Sequence, residues 1–281
     1  MNWLVEEVRK KIFEQNKNWL AVIVGETGSG KSYTGLKLCE MIDQSFNIDR
    51  VVFSAEEFMK LLNSGTLSKG NAVLWDETGV GLSAREWYTI SNKAINYVLQ
   101  TFRRDNLAVV FTVPSMDFVD IQLRKLFHAY IETISINRTE KCVWVKFMNI
   151  QYSPRFDKIY YKYPRIKVNG KIVVVNRVKV YKPSEQLIEQ YEEKKKVFCE
   201  RLKEEVEKTI KQERLKVERT VDLKEVIESA KLNMDKFLVE RNGKKVIDTD
   251  LLRVYYNMSS DKAKLVKKLL EVECKEVLKP V

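Results

Sequence analysis

Apolar runs alternate with amphipathic segments over the first half of the chain. The runs of strand length are NWLAVIV, RVVFSA, NAVLWDE, NLAVVFTVP and AYIETISI. SYTGLKLCEMIDQ and AEEFMKLL between them have helical spacing, with Ser54 as N-cap of the second, and SAREWYTISNKAINYVLQTFRRD is a longer helical stretch. Strands that are apolar throughout and alternate with helices are typical of a parallel sheet. Residues 1–136 therefore predict an α/β domain with helices on both faces of a parallel sheet.

The pattern changes to alternating strands after residue 136. RIKVNGKIVVV contains Asn169-Gly170 between two alternating segments, which predicts a type I′ hairpin. Thr139-Glu140 is expected to turn another strand pair. We therefore assign residues 137–183 to a β-rich extension of the first domain.

A highly charged helix follows from Ser184. Its apolar positions, among them Leu187, Tyr191 and Phe198, are sparse. This pattern favours a solvated connector helix over residues 184–218, and a coiled-coil or subunit-packing arm is the alternative.

The last segment, residues 219–281, has the pattern of a helix-turn-helix, which could be winged. In DTDLLRVYYNMSSDKAKLVKKLLE, the first helix has an apolar face, a turn follows at residues 257–259, and the second helix has an apolar stripe. The faces consist of Leu251, Leu252 and Tyr255, and of Ala263, Val266, Leu269 and Leu270. The lysines expected to point outward toward DNA are Lys262, Lys264, Lys267 and Lys268. A small helical bundle with an ordinary lysine surface is the alternative.

The positive charge is concentrated in the β-rich extension. The chain has 281 residues and a formal net charge of +11. Residues 141–182 carry eleven basic side chains and one acidic one, Asp157, with aromatic residues interleaved. Cations and aromatic rings together suit a surface that faces nucleic acid, and Lys158, Lys162 and Arg165 are the candidate contacts. The alternative is a solvated sheet face whose aromatic residues belong to the core.

The composition limits the cellular locations and the kinds of metal and catalytic site that we expect. No apolar run reaches the length of a membrane helix, and the start MNWLVEEVRKK lacks the apolar segment of a secretory signal, so we expect a soluble cytoplasmic protein without membrane insertion. The four cysteines are far apart, and His128 is the only histidine, which excludes ordinary zinc-finger spacing. For His128 we expect a packing or surface role. The Lys- and Glu-rich composition favours a thermophilic source.

GETGSGKS, which follows the first strand, has the form GxxxxGK[ST] of a phosphate-binding loop. Its glycines let backbone N–H groups turn toward phosphates, Lys31 reaches the β- and γ-phosphates, and Ser32 gives its hydroxyl to Mg²⁺. The sequence thus predicts binding of ATP and Mg²⁺. The expected nucleotide-binding residues are Gly25, Glu26, Thr27, Gly28, Ser29, Gly30, Lys31, Ser32 and Tyr33.

Two acids end the third apolar run. Asp76 is positioned to hold Mg²⁺ through its water shell, and Glu77 to orient or deprotonate the attacking water. An acid at the second position favours hydrolysis over transfer to a bound acceptor, and helix capping is the alternative. In FTVPS, which ends the fourth run, Thr112 and Ser115 could sense the γ-phosphate or cap a local turn. The candidates for an arginine finger are Arg85, Arg103, Arg104 and Arg124, each of which could instead be a surface ion-pair partner.

GETGSGKS, VLWDE and FTVPS together resemble the additional-strand catalytic-glutamate division of P-loop ATPases, over roughly residues 18–136. VLQTFRRDNLAVVFTVPSMDFVDIQLRKLF is similar to its FtsK/HerA branch, which includes Zot-like and viral or plasmid ATPases. Val113 follows Thr112 where glutamine is usual, so the role of the family's polar sensor passes to Thr112 or Ser115. The tail LLRVYYNMSSDKAKLVKKLLE separately resembles the winged-helix module of FtsK-type translocases.

The resemblance implies a RecA-like core in a ring, usually a hexamer, that moves double-stranded DNA, here for an archaeal virus, plasmid or conjugative element. One alternative is an AAA+ initiator or helicase loader, although a basic β-region follows the core where those proteins carry a helical lid. Two further alternatives are a nucleotide-gated DNA-binding regulator with little turnover and an ATPase that assembles virions or pili.

Overall fold

The computed structural model describes residues 1–76, 106–241 and 244–273. The described residues form two compact units, and the boundary between them lies between Leu202 and Lys203. The long helix predicted over residues 83–105 lies outside the described ranges. No helix in the described ranges is long and apolar enough to cross a membrane.

The first unit is built on a sheet whose central strands are parallel. Its strands are β1 (Trp19–Val24), β2 (Val51–Val52), β3 (Ala72–Trp75), β4 (Ala108–Val113), β5 (Ala129–Asn137), β6 (Cys142–Ser153), β7 (Lys158–Lys162), β8 (Arg165–Val168), β9 (Lys171–Val174) and β10 (Val178–Tyr181). The order is β10-β6-β5-β1-β4-β3-β2, with β7 paired to β6 and β8–β9 forming a separate hairpin. Strands β5, β1, β4, β3 and β2 are parallel, whereas β6 runs antiparallel to β5, β7 and β10.

Helices cover both faces of the sheet. They are α1 (Asn2–Arg9), α2 (Lys31–Ile42), α3 (Ala55–Asn63), α4 (Ile121–Arg124) and the first part of α5 (Glu185–Leu232). Strand β1 is buried along its whole length: Ala21 and Ile23 belong to the core beneath α1 and α2, and Leu20 and Val22 to the core that contains Phe58 of α3. The predicted mixed α/β fold with a mostly parallel sheet is therefore confirmed.

Local signals in the sequence set several element ends. Asn169 and Gly170 adopt left-handed conformations, with φ of 49° and 81°, at the predicted hairpin turn between β8 and β9. The side chain of Ser54 accepts a hydrogen bond from the Glu57 backbone N–H and caps α3, as predicted. The turn at Thr139-Glu140 joins β5 to β6, with Lys141 in a left-handed conformation at its end.

The first turns of α5 are packed, so their interpretation as a solvated connector is wrong. Leu187 and Tyr191 are buried in the core beneath α1 and α2, and the Phe198 ring stacks on Phe53 with centroids 4.9 Å apart. These apolar positions are sparse, but they recur at a spacing close to the helical period and therefore share one face. That face lies on the α/β unit.

The second unit contains the end of α5, the hairpin β11 (Leu238–Arg241) and β12 (Lys244–Ile247), and helices α6 (Thr249–Tyr255) and α7 (Ser260–Glu273). Its core includes Leu252 of α6, together with Ala263, Val266 and Leu270 of α7, as expected. Three residues placed on the predicted apolar faces are instead exposed, namely Leu251, Tyr255 and Leu269. The unit is small, so only one narrow side of each helix is covered.

His128 has the packing role that its sequence context suggested. Its Nδ1 accepts a hydrogen bond from the Leu20 backbone N–H at 3.0 Å, which makes the neutral ring the favoured form. Burial, aided by the charges of Lys11 and Lys17, lowers the pKa of His128 to about 3.

Because the unfolded chain takes up a proton near pH 6.5 and the folded chain does not, this histidine stabilises the fold above that pH and the contribution is lost as pH falls toward 3. The slope is about 1.4 kcal/mol per pH unit at most. We expect the single histidine Hε1 signal in ¹H NMR to stay unshifted from about pH 8 to about pH 5. A titration with its midpoint near pH 6.5 would contradict the buried, neutral ring.

Candidate nucleotide-binding site

The glycine-rich loop joins β1 to α2, as a phosphate-binding loop requires. Gly28 and Gly30 have φ of 78° and 89°. A residue with a Cβ atom would be strained in these left-handed conformations, whereas glycine adopts them readily. Helix α2 begins at Lys31 with Gly30 as its N-cap residue. The N–H groups of this first turn therefore point out of the helix end, where an anion is stabilised.

Gly25 is required by the strand beside the loop. A Cβ at this position would lie 1.9 Å from Thr133 Oγ1 on β5. Thr133 is hydrogen-bonded to the loop through Ser29 Oγ at 2.7 Å and reaches the Val24 carbonyl at 3.3 Å. Sequence reasoning did not single out Thr133, because only the pairing of β5 with β1 brings it to the loop.

The loop opens into a cleft of about 470 Å³. Thr27, Gly28, Gly30, Lys31, Ser32 and Tyr33 line it on the loop side, and Thr112, Val113 and Pro114 at the end of β4 line it on the sheet side. Lys31 Nζ donates a hydrogen bond to the Glu26 carbonyl at 2.7 Å. The lysine thus lies at the loop and lines the same cleft as five other predicted nucleotide-binding residues, whereas Gly25, Glu26 and Ser29 are not among the lining residues.

Asp76 lies at the carboxyl end of β3 and is completely buried. Thr112 donates a hydrogen bond to its Oδ1 at 2.6 Å, and the Tyr191 hydroxyl donates one to its Oδ2 at 2.5 Å. Lys195 Nζ lies 3.9 Å from Oδ2. Strand β4 lies between β1 and β3 in the sheet, which places Thr112 between the loop and this carboxylate.

Helix α5 forms the third wall of the cleft, through Tyr191, Glu192 and Lys195. The Tyr33 hydroxyl donates a hydrogen bond to Glu192 Oε1 at 2.8 Å. Burial and this carboxylate raise the pKa of Tyr33 to about 12, so Tyr33 keeps its proton at neutral pH. None of these three helix residues belongs to the site predicted from the sequence. The spacing of Leu187, Tyr191 and Phe198 along one helix face was the available signal.

Two candidates have local roles away from the cleft. Ser115 caps a short 3₁₀ turn by accepting a hydrogen bond from the Asp117 backbone N–H, which matches the turn-capping alternative. Arg124 donates to the Val119 carbonyl at 2.8 Å and lies 3.7 Å from Asp117. Glu77, Arg85, Arg103 and Arg104 lie outside the described residues.

The candidate nucleic-acid contacts are distributed over both units. In the first unit, Lys158, Lys162 and Arg165 are exposed. Exposed aromatic side chains accompany them, namely Phe156, Tyr160, Tyr161 and Tyr163. In the second unit, Lys262, Lys264 and Lys268 are exposed, whereas Lys267 is half-buried and lies 3.8 Å from Glu271.

No protein-family model and no curated protein matches the chain. Among solved structures, the N-terminal domain of zonular occludens toxin from Neisseria meningitidis is similar to this chain. The match covers 52% of this chain and 93% of that domain. The sequence identity is 15% and the TM-score is 0.31. At this level of similarity, function has to be inferred from the chain's own residues.

The contact between Gly25 and Thr133 can be tested by a paired substitution. Gly25→Ala should lower the free energy of unfolding by about 1–3 kcal/mol, because the new methyl group overlaps Thr133 Oγ1. Adding Thr133→Ala removes that oxygen and should restore part of the loss, because the new methyl group would still lie 2.7 Å from Ser29 Oγ unless that hydroxyl moves. Chemical denaturation measures both variants, with Thr133→Ala alone as the control. Full stability of Gly25→Ala would show that the loop does not pack on β5 in this way.

Proposed function

We propose that the chain is a Mg²⁺-ATP-hydrolysing DNA motor of the FtsK/HerA kind. The observation that carries the ATPase part is the placement of buried Asp76 across β4 from the glycine-rich loop. A phosphate-binding loop and an acid at the end of a neighbouring strand are the two parts that a P-loop NTPase needs for nucleotide and metal.

Each residue of the cleft has a proposed role in nucleotide binding or hydrolysis. The backbone N–H groups at the start of α2 hold the phosphates, and Lys31 exchanges the Glu26 carbonyl for a phosphate oxygen. Ser32 and Asp76 would hold Mg²⁺, which neutralises phosphate charge when bound. Glu77, directly after Asp76 in the sequence, orients and deprotonates the attacking water.

We expect Lys31→Ala to abolish ATP binding and Glu77→Gln to retain binding while reducing turnover by about 10²–10⁴-fold. Steady-state hydrolysis is measured without DNA and with linear double-stranded DNA of increasing length, with Glu77→Gln as the blank. A motor predicts stimulation that grows with DNA length. Slow turnover that ignores DNA would favour the nucleotide-gated regulator, and unchanged turnover in Glu77→Gln would refute the assignment of the base.

The DNA part of the proposal is supported by the surface of β7 and its flanks. Lys158, Tyr160 and Lys162 alternate along this strand, so they share one face of it, and all three are exposed, whereas Tyr161 faces the other side and packs on Tyr130. Lysines can neutralise phosphates, and a ring on the same surface can stack on a base. The alternative, in which the aromatic residues of this region belong to the core, holds for Phe147, which is buried.

We further propose that the motor is a homo-oligomeric ring, with a hexamer favoured, in a thermophilic archaeal virus or mobile element. A neighbouring subunit would then complete the cleft with an arginine finger from Arg85, Arg103, Arg104 or Arg124. The initiator or helicase-loader function remains the alternative, since both functions join an ATPase to a DNA-binding unit.

Neutralising the surface of β7 tests the proposed DNA interface. The triple variant Lys158→Gln, Lys162→Gln, Arg165→Gln should bind double-stranded DNA more weakly, because fewer phosphates are neutralised. Its slope of log affinity against log salt should flatten by about 0.9 for each phosphate that the variant no longer neutralises. Fluorescence anisotropy at several salt concentrations measures both quantities.

The matched control removes the same charge from the exposed side of α5, by Lys203→Gln, Lys208→Gln and Lys211→Gln. An equal loss of affinity in the control would indicate a general effect of net charge. If only Lys262→Gln, Lys264→Gln and Lys268→Gln weaken binding, then DNA contacts the second unit and the β7 surface is not an interface.

A further inference from the structure

A second lysine lies in the nucleotide cleft, on helix α5. Lys195 lines the same cleft as Lys31, Ser32 and Thr27, although it is far from them in sequence. Its ammonium group lies 3.9 Å from Asp76 Oδ2 and 5.5 Å from the centroid of the Tyr191 ring. The cleft therefore has a second cationic side chain, supplied by α5 rather than by the loop.

The position of this lysine is fixed by the packing of the helix. Lys194, the preceding residue, donates hydrogen bonds to the carbonyls of Ile48 at 3.0 Å and Val51 at 2.6 Å, and its burial lowers its pKa. The Ser184 backbone N–H donates to Glu40 Oε1 at 3.1 Å, which holds the start of the helix. Contacts on both sides of Tyr191 thus attach α5 to the α/β unit.

The charges around the cleft favour an anionic ligand beside Lys195. Glu192, which accepts the hydrogen bond of Tyr33, lines the cleft, Asp76 is buried beneath it, and exposed Glu26 belongs to the loop that binds Lys31. Lys31 and Lys195 are the cations on its walls. Two ammonium groups and a helix N-terminus in one cleft match the charge of a polyphosphate better than that of a single phosphate.

We propose that Lys195 binds the terminal phosphate of ATP and makes the cleft prefer the triphosphate to the diphosphate. This inference rests on the proposed nucleotide site. The ammonium lies 3.9 Å from the carboxylate that would hold Mg²⁺, and the metal of a P-loop site would neutralise charge on the terminal phosphates, so a terminal phosphate held there would be near Lys195. Tyr191 positions Asp76 in this arrangement, and Lys195 contacts the ligand.

The experiment compares the affinities of wild type and variants for a non-hydrolysable ATP analogue and for ADP, by calorimetry with Mg²⁺. Lys195→Met keeps the length of the side chain and removes its charge. It should weaken binding of the ATP analogue by about tenfold or more, because a charge-assisted hydrogen bond is lost, and leave ADP binding nearly unchanged. Lys196→Met, an exposed neighbour on the same helix, is the matched control and should change neither affinity.

A second measurement uses the unaltered protein. An amine-reactive ester labels accessible lysines, and mass spectrometry compares Lys195 with Lys196. The ATP analogue should protect Lys195 more than ADP does and should leave Lys196 unchanged. This comparison decides the question even if Lys195→Met does not fold.

The outcomes separate this inference from the proposed function. If wild type binds the analogue in a Lys31-dependent way, but Lys195→Met weakens both nucleotides equally or neither, the terminal-phosphate role is refuted and the nucleotide site stands. Equal protection of Lys195 by ATP analogue and ADP refutes it as well. If wild type binds neither nucleotide, the proposed function itself is refuted.

Discussion

The burial of the Asp76 carboxylate is the constraint on which the nucleotide cleft depends. A carboxylate that is removed from water costs several kcal/mol unless hydrogen bonds and a nearby cation replace the lost hydration. Here the replacements come from two other parts of the chain: Thr112 on β4, and Tyr191 with Lys195 on α5. The carboxylate therefore links strand β3 to its neighbouring strand and to a helix that begins more than a hundred residues later.

This link explains why α5 does not behave as its composition suggests. The helix has a negative mean hydropathy and is rich in charged residues, which is typical of a solvated helix. Its first turns nevertheless bury Leu187 and Tyr191, because a buried acid needs the tyrosine hydroxyl and the core accepts the ring. Tyr191 thus combines a buried ring with a hydrogen bond to the buried acid, and it acts together with Leu187 and Phe198 in placing the helix.

The parts of the site that sequence could predict are those encoded by neighbouring residues. The glycines and Lys31 form a continuous motif, and Asp76 ends an apolar strand, so both positions follow from local patterns. Thr133, Tyr191 and Lys195 reach the cleft only through strand pairing and helix packing, which no local pattern contains. The fold follows the same division: the central strands and the Asn169-Gly170 turn were predictable, whereas Leu251 and Tyr255 are exposed because few neighbours cover α6.

The hydrogen bonds of the cleft also bear on how tightly a nucleotide can bind. Lys31 is bonded to a loop carbonyl, Tyr33 to Glu192, and the oxygens of Asp76 to two hydroxyls. A ligand must exchange some of these bonds for its own, so only the difference between the two sets contributes to affinity. Release then regains the protein's own bonds and is correspondingly less costly. Such a balance suits the proposed ATPase, because very tight binding of product would stop each cycle.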